Sequence, residues 1–368
     1  MTAPSLIRRF AGVPRRASQF LSLAAFAAIG VLGLSAPLLG APVIGGAIVP
    51  VPDTIEAGRS LGPLRVAERN PLYHLFLTPT IEGSEVLPGG AWKVRIASAY
   101  SNIFEYNFSD AFEQRFDLER SSTVVSIARG IGAGLEVGAS IGVQHNWGGF
   151  LDPAIQGIHD LFGLPNADRE KVDNGQFGVY LGTRIGPRQV YVDLAPGTAV
   201  EAPRVWAAWR LAGDPDSAAD VTLRGTVKLP LGDIGASSRG TDFAGEVAAR
   251  RSWGATHLHV SLGVLRFNPP ALLAQIMKDG GWFGSVAVER RVTPGFSLVG
   301  QFFGGSRYAS GFGIRELDNL PLNLAIGARG RAGRNWTWQV SFTEDVPPNS
   351  PSVDFTLDLT LARVWSPG

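Results

Sequence analysis

From residue 91 onward, apolar side chains recur at every second position in short runs broken by turn residues. In Phe355-Thr-Leu-Asp-Leu-Thr-Leu-Ala362 the odd positions are apolar and the even ones polar or small, and Asn335–Thr343 repeats the pattern with Trp336, Trp338, Val340 and Phe342 on one face. A period of two means a strand with one apolar face. Counted by parity, the chain predicts twelve strands, at 91–106, 113–129, 134–147, 203–211, 219–230, 242–250, 255–266, 282–291, 296–304, 322–331, 335–343 and 355–365. The run 113–129 fits least well, because Phe116 and Leu118 share parity with Arg120; a bulge near Ser121 is expected there.

The connections alternate between short and long: 130–133, 212–218, 251–254, 292–295 and 332–334 against 148–202, 231–241, 267–281, 305–321 and 344–354. An even strand number with tight turns at one end and long loops at the other is the pattern of a closed barrel in an outer membrane. The expected fold is therefore all-β, a twelve-stranded antiparallel transmembrane β-barrel of outer-membrane type. Trp92, Trp209, Trp253, Trp336, Trp338 and Trp365 fall at the tight-turn ends of their strands, where an indole can be half dry and half wet, so they are expected to form an interface girdle.

Charge decides which face is which. Asp220, Thr222, Arg224, Thr226 and Lys228 share one face of their strand, and turning Lys or Arg to lipid costs about 2–4 kcal/mol at the midplane. The charged face is thus the lumen, and parity assigns to it Arg95, Arg115, Glu136, Arg204, Arg210, Asp220, Arg224, Lys228, Glu246, Arg250, His257, His259, Glu289, Arg329, Arg331 and Asp358. Composition agrees with such an interior. Charged residues make up only 18% of the 368 positions, and 33 basic against 32 acidic groups leave no basic excess for nucleic acid. With no Cys, disulfides, thiolate metal sites and Cys nucleophiles are excluded. No cofactor or metal is implied; His257 and His259, two apart on a strand, read as polar lining.

Ahead of the barrel, Arg8, Arg9, Arg15 and Arg16 precede an apolar run from Phe20 to Leu34 and then small residues and prolines, which reads as a secretory signal peptide over 1–47 cleaved between 35 and 47. Residues 48–90 are left as an N-terminal periplasmic segment, with the barrel at 91–365. In the long extracellular loop after the third strand, Asp152 before Pro153 starts a short helix whose stripe includes Ile155, Ile158 and Phe162. His159 and Asp160 are adjacent on that helix and so point about 100° apart, a poor geometry for joint catalysis.

Several segments carry a resemblance. Arg69-Asn-Pro-Leu72, Gly148-Gly-Phe-Leu-Asp-Pro153 through His159-Asp-Leu-Phe-Gly-Leu-Pro165, Val227-Lys-Leu-Pro-Leu-Gly-Asp233, Arg239-Gly-Thr-Asp-Phe243, Arg315-Glu-Leu317 and Thr343-Glu-Asp345 leading to Asp354-Phe355 are similar to the bacterial family catalogued as domain of unknown function 3187. Leu231 stands where that pattern leads one to expect Thr. The resemblance implies an outer-membrane barrel and carries no assigned activity. The reading favoured at this level is porin-like passage of small solutes through a narrow charged lumen. A structural or lipid-interacting barrel with a closed lumen, or an outer-membrane lipid hydrolase, are the alternatives. The partners expected are outer-membrane lipid and lipopolysaccharide, the barrel-assembly machinery during biogenesis, and small solutes.

Overall fold

The computed structural model describes residues 59–162, 169–214, 216–346, 351 and 353–366; the expected signal peptide lies outside them. Twelve strands of the described residues close a barrel: β1 (Trp92–Phe108), β2 (Phe112–Gly132), β3 (Leu135–Trp147), β7 (Arg204–Ala212), β8 (Ala219–Lys228), β9 (Asp242–Trp253), β10 (Thr256–Arg266), β11 (Gly280–Thr293), β12 (Phe296–Gly305), β13 (Leu322–Ala332), β14 (Trp336–Asp345) and β15 (Phe355–Trp365). Each pairs antiparallel with its neighbour, and β1 closes on β15 from Trp92↔Trp365 to Asn102↔Phe355. Closure removes the free edges that an open sheet would present.

Three further strands lie inside the 148–202 loop, where sequence periodicity is too short to announce them. β4 (Gly178–Thr183) pairs with the long-loop end of β2, and β5 (Val190–Leu194) pairs with β4. β6 (Gly197–Val200) pairs with the upper part of β3, so β6 and β7 together complete the wall beside β3. The loop helix α1 (Asp152–Phe162) and a one-turn helix α2 (Arg315–Asp318) also stand at the long-loop end.

The outer face is an apolar belt. Ile96, Val125, Ile141, Leu223, Val247, Leu262, Val288, Ile326 and Leu359 are all exposed on the isolated chain. A continuous band of this kind is far larger than a soluble monomer tolerates, and lipid is its natural solvent. No helix among the described residues is long and apolar enough to cross a membrane; the belt is made by strands.

Two expectations fail in β2. The pairing of β1 with β2 runs unbroken past Ser121, and the irregularity lies instead between Gly130 and Gly132 against β3. The face assignment is also inverted: Phe116, Leu118 and Arg120 are buried on the inside, whereas Arg115 is exposed and pairs with the exposed Tyr106. Phe116 and Leu118 are apolar because they enter a hydrophobic core under the long loops, not because they meet lipid. Taking them as lipid-facing shifts the strand by one residue and turns every side chain over.

The larger correction concerns the segment ahead of β1. Residues 59–90, part of the expected periplasmic segment, run inside the barrel. One arm rises from Arg59, beside Asp216 in the β7–β8 turn, past Leu61 at Glu289 and Pro63 at Arg329. At the long-loop end the chain makes a single turn at Tyr73–Leu75, where the Leu75 carbonyl accepts from the Ser238 amide at 2.7 Å. The second arm descends past Thr78 at Arg204 and Leu87 at Glu136 and enters β1. The arms are tied by the Ile81 amide donating to the Val66 carbonyl (2.9 Å) and by Arg65 Nε on Glu82 Oε1 (2.7 Å). Where the second arm leaves, a Cβ on Gly130 would collide with the Pro88 carbonyl, which is why β2 carries no side chain at that point.

Candidate functional site

A twelve-stranded barrel lies between the eight strands whose own side chains fill the interior and the sixteen that leave a broad channel. Here the bore is occupied by residues 59–90, which we call the plug. Its upper half is apolar: Leu72, Tyr73, Phe76 and Leu77 are fully buried. They pack with Phe267, Tyr308, Phe312 and Leu317 from the long loops, Tyr73 stacking on Tyr308 with centroids 4.4 Å apart and Phe76 meeting Phe267 at 5.4 Å. Burial of each large ring or Leu contributes about 1.5–3 kcal/mol, so this dome is the main hydrophobic closure of the molecule.

Lower down the contacts are polar, and wall side chains bond to the plug's main chain. Gln301 donates to the Leu64 carbonyl (3.1 Å), Gln339 brackets Arg65 by accepting its amide (2.9 Å) and donating to its carbonyl (3.2 Å), and Arg329 donates to the Pro63 carbonyl (2.5 Å). On the descending arm Arg204 donates to the Thr78 carbonyl (3.0 Å), Thr222 to the Ser84 carbonyl, and Arg210 to the Val86 carbonyl (3.1 Å). Carboxylates take plug amides: Asp242 from Leu77 (2.9 Å) and Glu136 from Leu87 (3.1 Å). The wall's own backbone is committed to the ladder, so only its side chains remain to satisfy a non-strand backbone in the bore.

Glu289 is the tightest of these anchors. It accepts from Ser60 Oγ (2.5 Å), the Leu61 amide (2.7 Å), Ser297 Oγ (2.7 Å) and the Gly62 amide (3.2 Å), and His259 Nε2 lies 3.0 Å away. Ser60, His259 and Glu289 contain the residue types of a hydrolytic triad, but their order is wrong. The serine hydroxyl donates to the carboxylate itself, and a single ring nitrogen, His259 Nε2, faces both Ser60 Oγ (3.4 Å) and Glu289 (3.0 Å), whereas nucleophile activation needs the imidazole between the two. His257 is bonded elsewhere, to Ser252 Oγ at 2.8 Å, and among the described residues no cluster of His, Asp and Glu has metal-binding form.

Other charges pair within the wall or with the plug. Lys228 Nζ lies 3.0 Å from Asp242, Arg250 bonds Asp220, Arg224 Nη1 stands 3.5 Å from Glu246, and Asp358 is 3.5 Å from Arg69 of the plug. Arg331 lies on the lumen face of β13, two residues beyond Arg329. Between plug and wall a cavity of about 80 Å³ remains, lined by Arg65, Arg69, His74 and Glu82 of the plug and by Lys93, Arg95, Glu136, Arg204, Arg224 and Glu246 of the wall. Arg95 finds its carboxylate on the plug, Nη1 lying 2.7 Å from Glu82 Oε1.

At the long-loop end, Asp152 is buried at the start of α1 and accepts from Arg169 (2.7 Å) and the Gly175 amide (2.8 Å), tying helix to loop. Ile155 is buried beneath the helix. The side chains of Ile158, His159, Asp160 and Phe162 lie outside the described residues. At the tight-turn end Trp209, Trp253 and Trp336 are exposed, with Trp92, Trp338 and Trp365 half-buried beside them. Arginines lie over several of these rings: Arg129 over Trp92 at 5.1 Å and Arg363 over Trp336 at 5.6 Å. Such pairs suit an interface where the ring faces lipid and the cation faces headgroups.

Sequence comparison places this arrangement in a family. A protein family described as of unknown function, DUF3187, matches residues 44–365. The chain belongs to the DUF3187 family. No curated protein matches the sequence. Among solved structures, the COG4313 outer membrane channel from Pseudomonas putida F1 is similar over 77% of this chain and 98% of its own, with a TM-score of 0.50 at 12% identity. The KdgM porin covers 74% of this chain and 98% of its own, with a TM-score of 0.39 at 7% identity. The first likeness shows the fold, so this DUF3187 member is a β-barrel of outer-membrane type.

Proposed function

We propose that the protein is an outer-membrane channel for small solutes that its own N-terminal segment holds closed. The observation that carries this reading is the polar character of the lower plug contacts. Side-chain bonds to the Pro63, Leu64, Arg65, Thr78 and Val86 carbonyls can be exchanged for water at a net cost of about 0.5–1.5 kcal/mol each for the two glutamines and about 1.5–3 kcal/mol each for the three arginines. If those bonds open, the space left is a bore lined by Lys93, Arg95, Arg204, Arg224 and Glu246, the lining of a hydrated path. In this reading the apolar belt meets outer-membrane phospholipid on one side and lipopolysaccharide on the other. Insertion uses the barrel-assembly machinery, and residues 1–47 act as the removed export signal.

The competing reading is a permanently closed structural barrel, and the apolar dome around Tyr73 and Tyr308 favours it. Single-channel recording decides between them. The intact chain is expected to be mostly silent with rare openings. Removal of residues 59–85 is expected to give steady conductance. Linking Ser84→Cys to Thr222→Cys with a cleavable bis-thiol reagent, a clean experiment in a chain without native Cys, is expected to abolish the openings until the link is cut. A plug-deleted barrel that inserts, resists unfolding in cold detergent and still does not conduct would favour permanent closure.

A further inference from the structure

Two features of the lumen do more than hold the plug. The first is Arg224, more than nine-tenths buried and lining the cavity, whose Nε and Nη1 make no hydrogen bond to protein. Its nearest carboxylate, Glu246, stands at 3.5 Å, beyond good hydrogen-bond distance. A buried guanidinium with unused N–H groups beside a polar cavity is a ready donor site for an oxyanion, because Arg matches carboxylate and phosphate with two donors at once. The second is Glu82. Arg65 Nε and Arg95 Nη1 both converge on its Oε1 at 2.7 Å, and it lines the same cavity as Lys93, Arg204 and Arg224. A plug carboxylate is thus already seated against a wall arginine, beside a second arginine whose ion pair with Glu246, at 3.5 Å, leaves hydrogen-bonding capacity unused.

We propose that Lys93, Arg95, Arg204 and Arg224 form a binding site for small oxyanions, carboxylates or phosphates, and that Glu82 of the plug occupies part of it in the closed state. An entering oxyanion first meets the free donors of Arg224 in the cavity and then competes with Glu82 for Arg95. The exchange replaces one carboxylate on Arg95 by another negative group, so Arg95 is spared the cost of a broken buried pair, and only Arg65 gives up its partner. Once Glu82 is displaced, the tie between the two plug arms through Arg65 is lost as well. Occupancy therefore loosens the descending arm. The proposal rests on the plugged-channel reading and supplies its solute class and its trigger.

The test uses the full-length chain with Thr80→Cys, a plug residue lining the cavity, reconstituted in vesicles. The rate of modification by a small uncharged methanethiosulfonate is followed while sodium succinate, sodium phosphate or sodium chloride is added at constant ionic strength. Either oxyanion is expected to accelerate labelling about tenfold and to saturate, whereas chloride does not, since only a ligand that favours the loosened state shifts its population. In the Arg224→Gln background the half-saturating concentration is expected to rise about tenfold. Glu82→Gln is expected to label rapidly with no oxyanion present. Labelling that neither oxyanion accelerates, or that chloride accelerates equally, overturns the proposal, as does an unchanged response in Arg224→Gln. Silence of the plug-deleted barrel in the bilayer experiment removes the channel instead, and an oxyanion-dependent labelling response would still stand as binding.

Discussion

Ser60 Oγ donates to Glu289 Oε2 at 2.5 Å, joining the start of the plug to the lumen face of β11. The same carboxylate also holds the Leu61 and Gly62 amides and Ser297, so it behaves as a multidentate anchor. Replacing Glu289 by Ala leaves several buried donors without an acceptor, each costing about 1–3 kcal/mol. The expected result for Glu289→Ala is a plug whose ascending arm becomes protease-sensitive and a barrel that unfolds at lower temperature on heat-modifiability gels. Ser297→Ala removes one donor and is expected to have a small effect. Equal melting of the two variants would show that the anchor is not where the plug is held.

Gly62 has φ of +92°, and a Cβ there would lie 2.6 Å from Arg329 Nη1. Gly62→Ala therefore meets both a left-handed backbone, worth about 1–2 kcal/mol, and the guanidinium that bonds Pro63. Gly333, in the β13–β14 turn, has φ of +70° with open space around it. Gly333→Ala is expected to lower stability by the backbone amount alone, and Gly62→Ala by more, with the excess appearing as faster proteolysis of the plug.

Arg115 and Arg120 give opposite expectations from a single strand. Arg115 is exposed on the outer face, whereas Arg120 is 1% exposed and bonds Asn146 and the Arg69 carbonyl inside. In the cysteine-free background, Arg115→Cys is expected to react with a bulky polar maleimide in the folded barrel and Arg120→Cys only after unfolding. The reverse order would restore the register expected from the sequence. The barrel limits were legible because lipid imposes one apolar face on every strand, as in β14 and β15. At Phe116 and Leu118 a second apolar solvent, the core under the loops, obeys the opposite parity.

Lys228 and Asp242 form a buried pair at 3.0 Å, and Asp242 also takes the Leu77 and Asn268 amides. Lys228→Met strands a buried carboxylate and is expected to cost about 3–5 kcal/mol, read as loss of the heat-resistant folded band. Adding Asp242→Asn to it removes the unpaired charge and is expected to recover part of that loss.

Leu359 is exposed to lipid at mid-strand and Thr360 faces the lumen. Leu359→Arg is expected to lower the yield of folding into vesicles, given a penalty of about 2–4 kcal/mol for a basic group near the midplane. Thr360→Arg is expected to insert well and to disturb only the plug beside it.

The plug itself was hidden from sequence reading for a definite reason. Residues 59–90 have no sustained period, carry Pro63, Pro71, Pro79 and Pro88, and resemble a linker. The available signal was their apolar content: Leu61, Leu64, Val66, Leu72, Leu75 and Leu77 in a stretch too short to bury them alone. Such residues need a host, and the interior of the barrel provides one. The lumen charges were visible by parity, but their targets were not, because a backbone carbonyl leaves no mark in the sequence.

Holding the lower plug by its main chain has a consequence for variation. A carbonyl at position 64 or 78 is the same acceptor whatever side chain stands beside it, so these grips follow a path through space and not the letters written along it. Apart from positions where the plug's own side chain is gripped or buried, such as Ser60, Gly62, Leu64, Arg65 and Glu82, replacements that keep that path should be absorbed, while changes in Gln301, Gln339, Arg204 or Arg329 should not. The barrel, in this respect, reads its own beginning much as a sheet edge reads any strand laid against it.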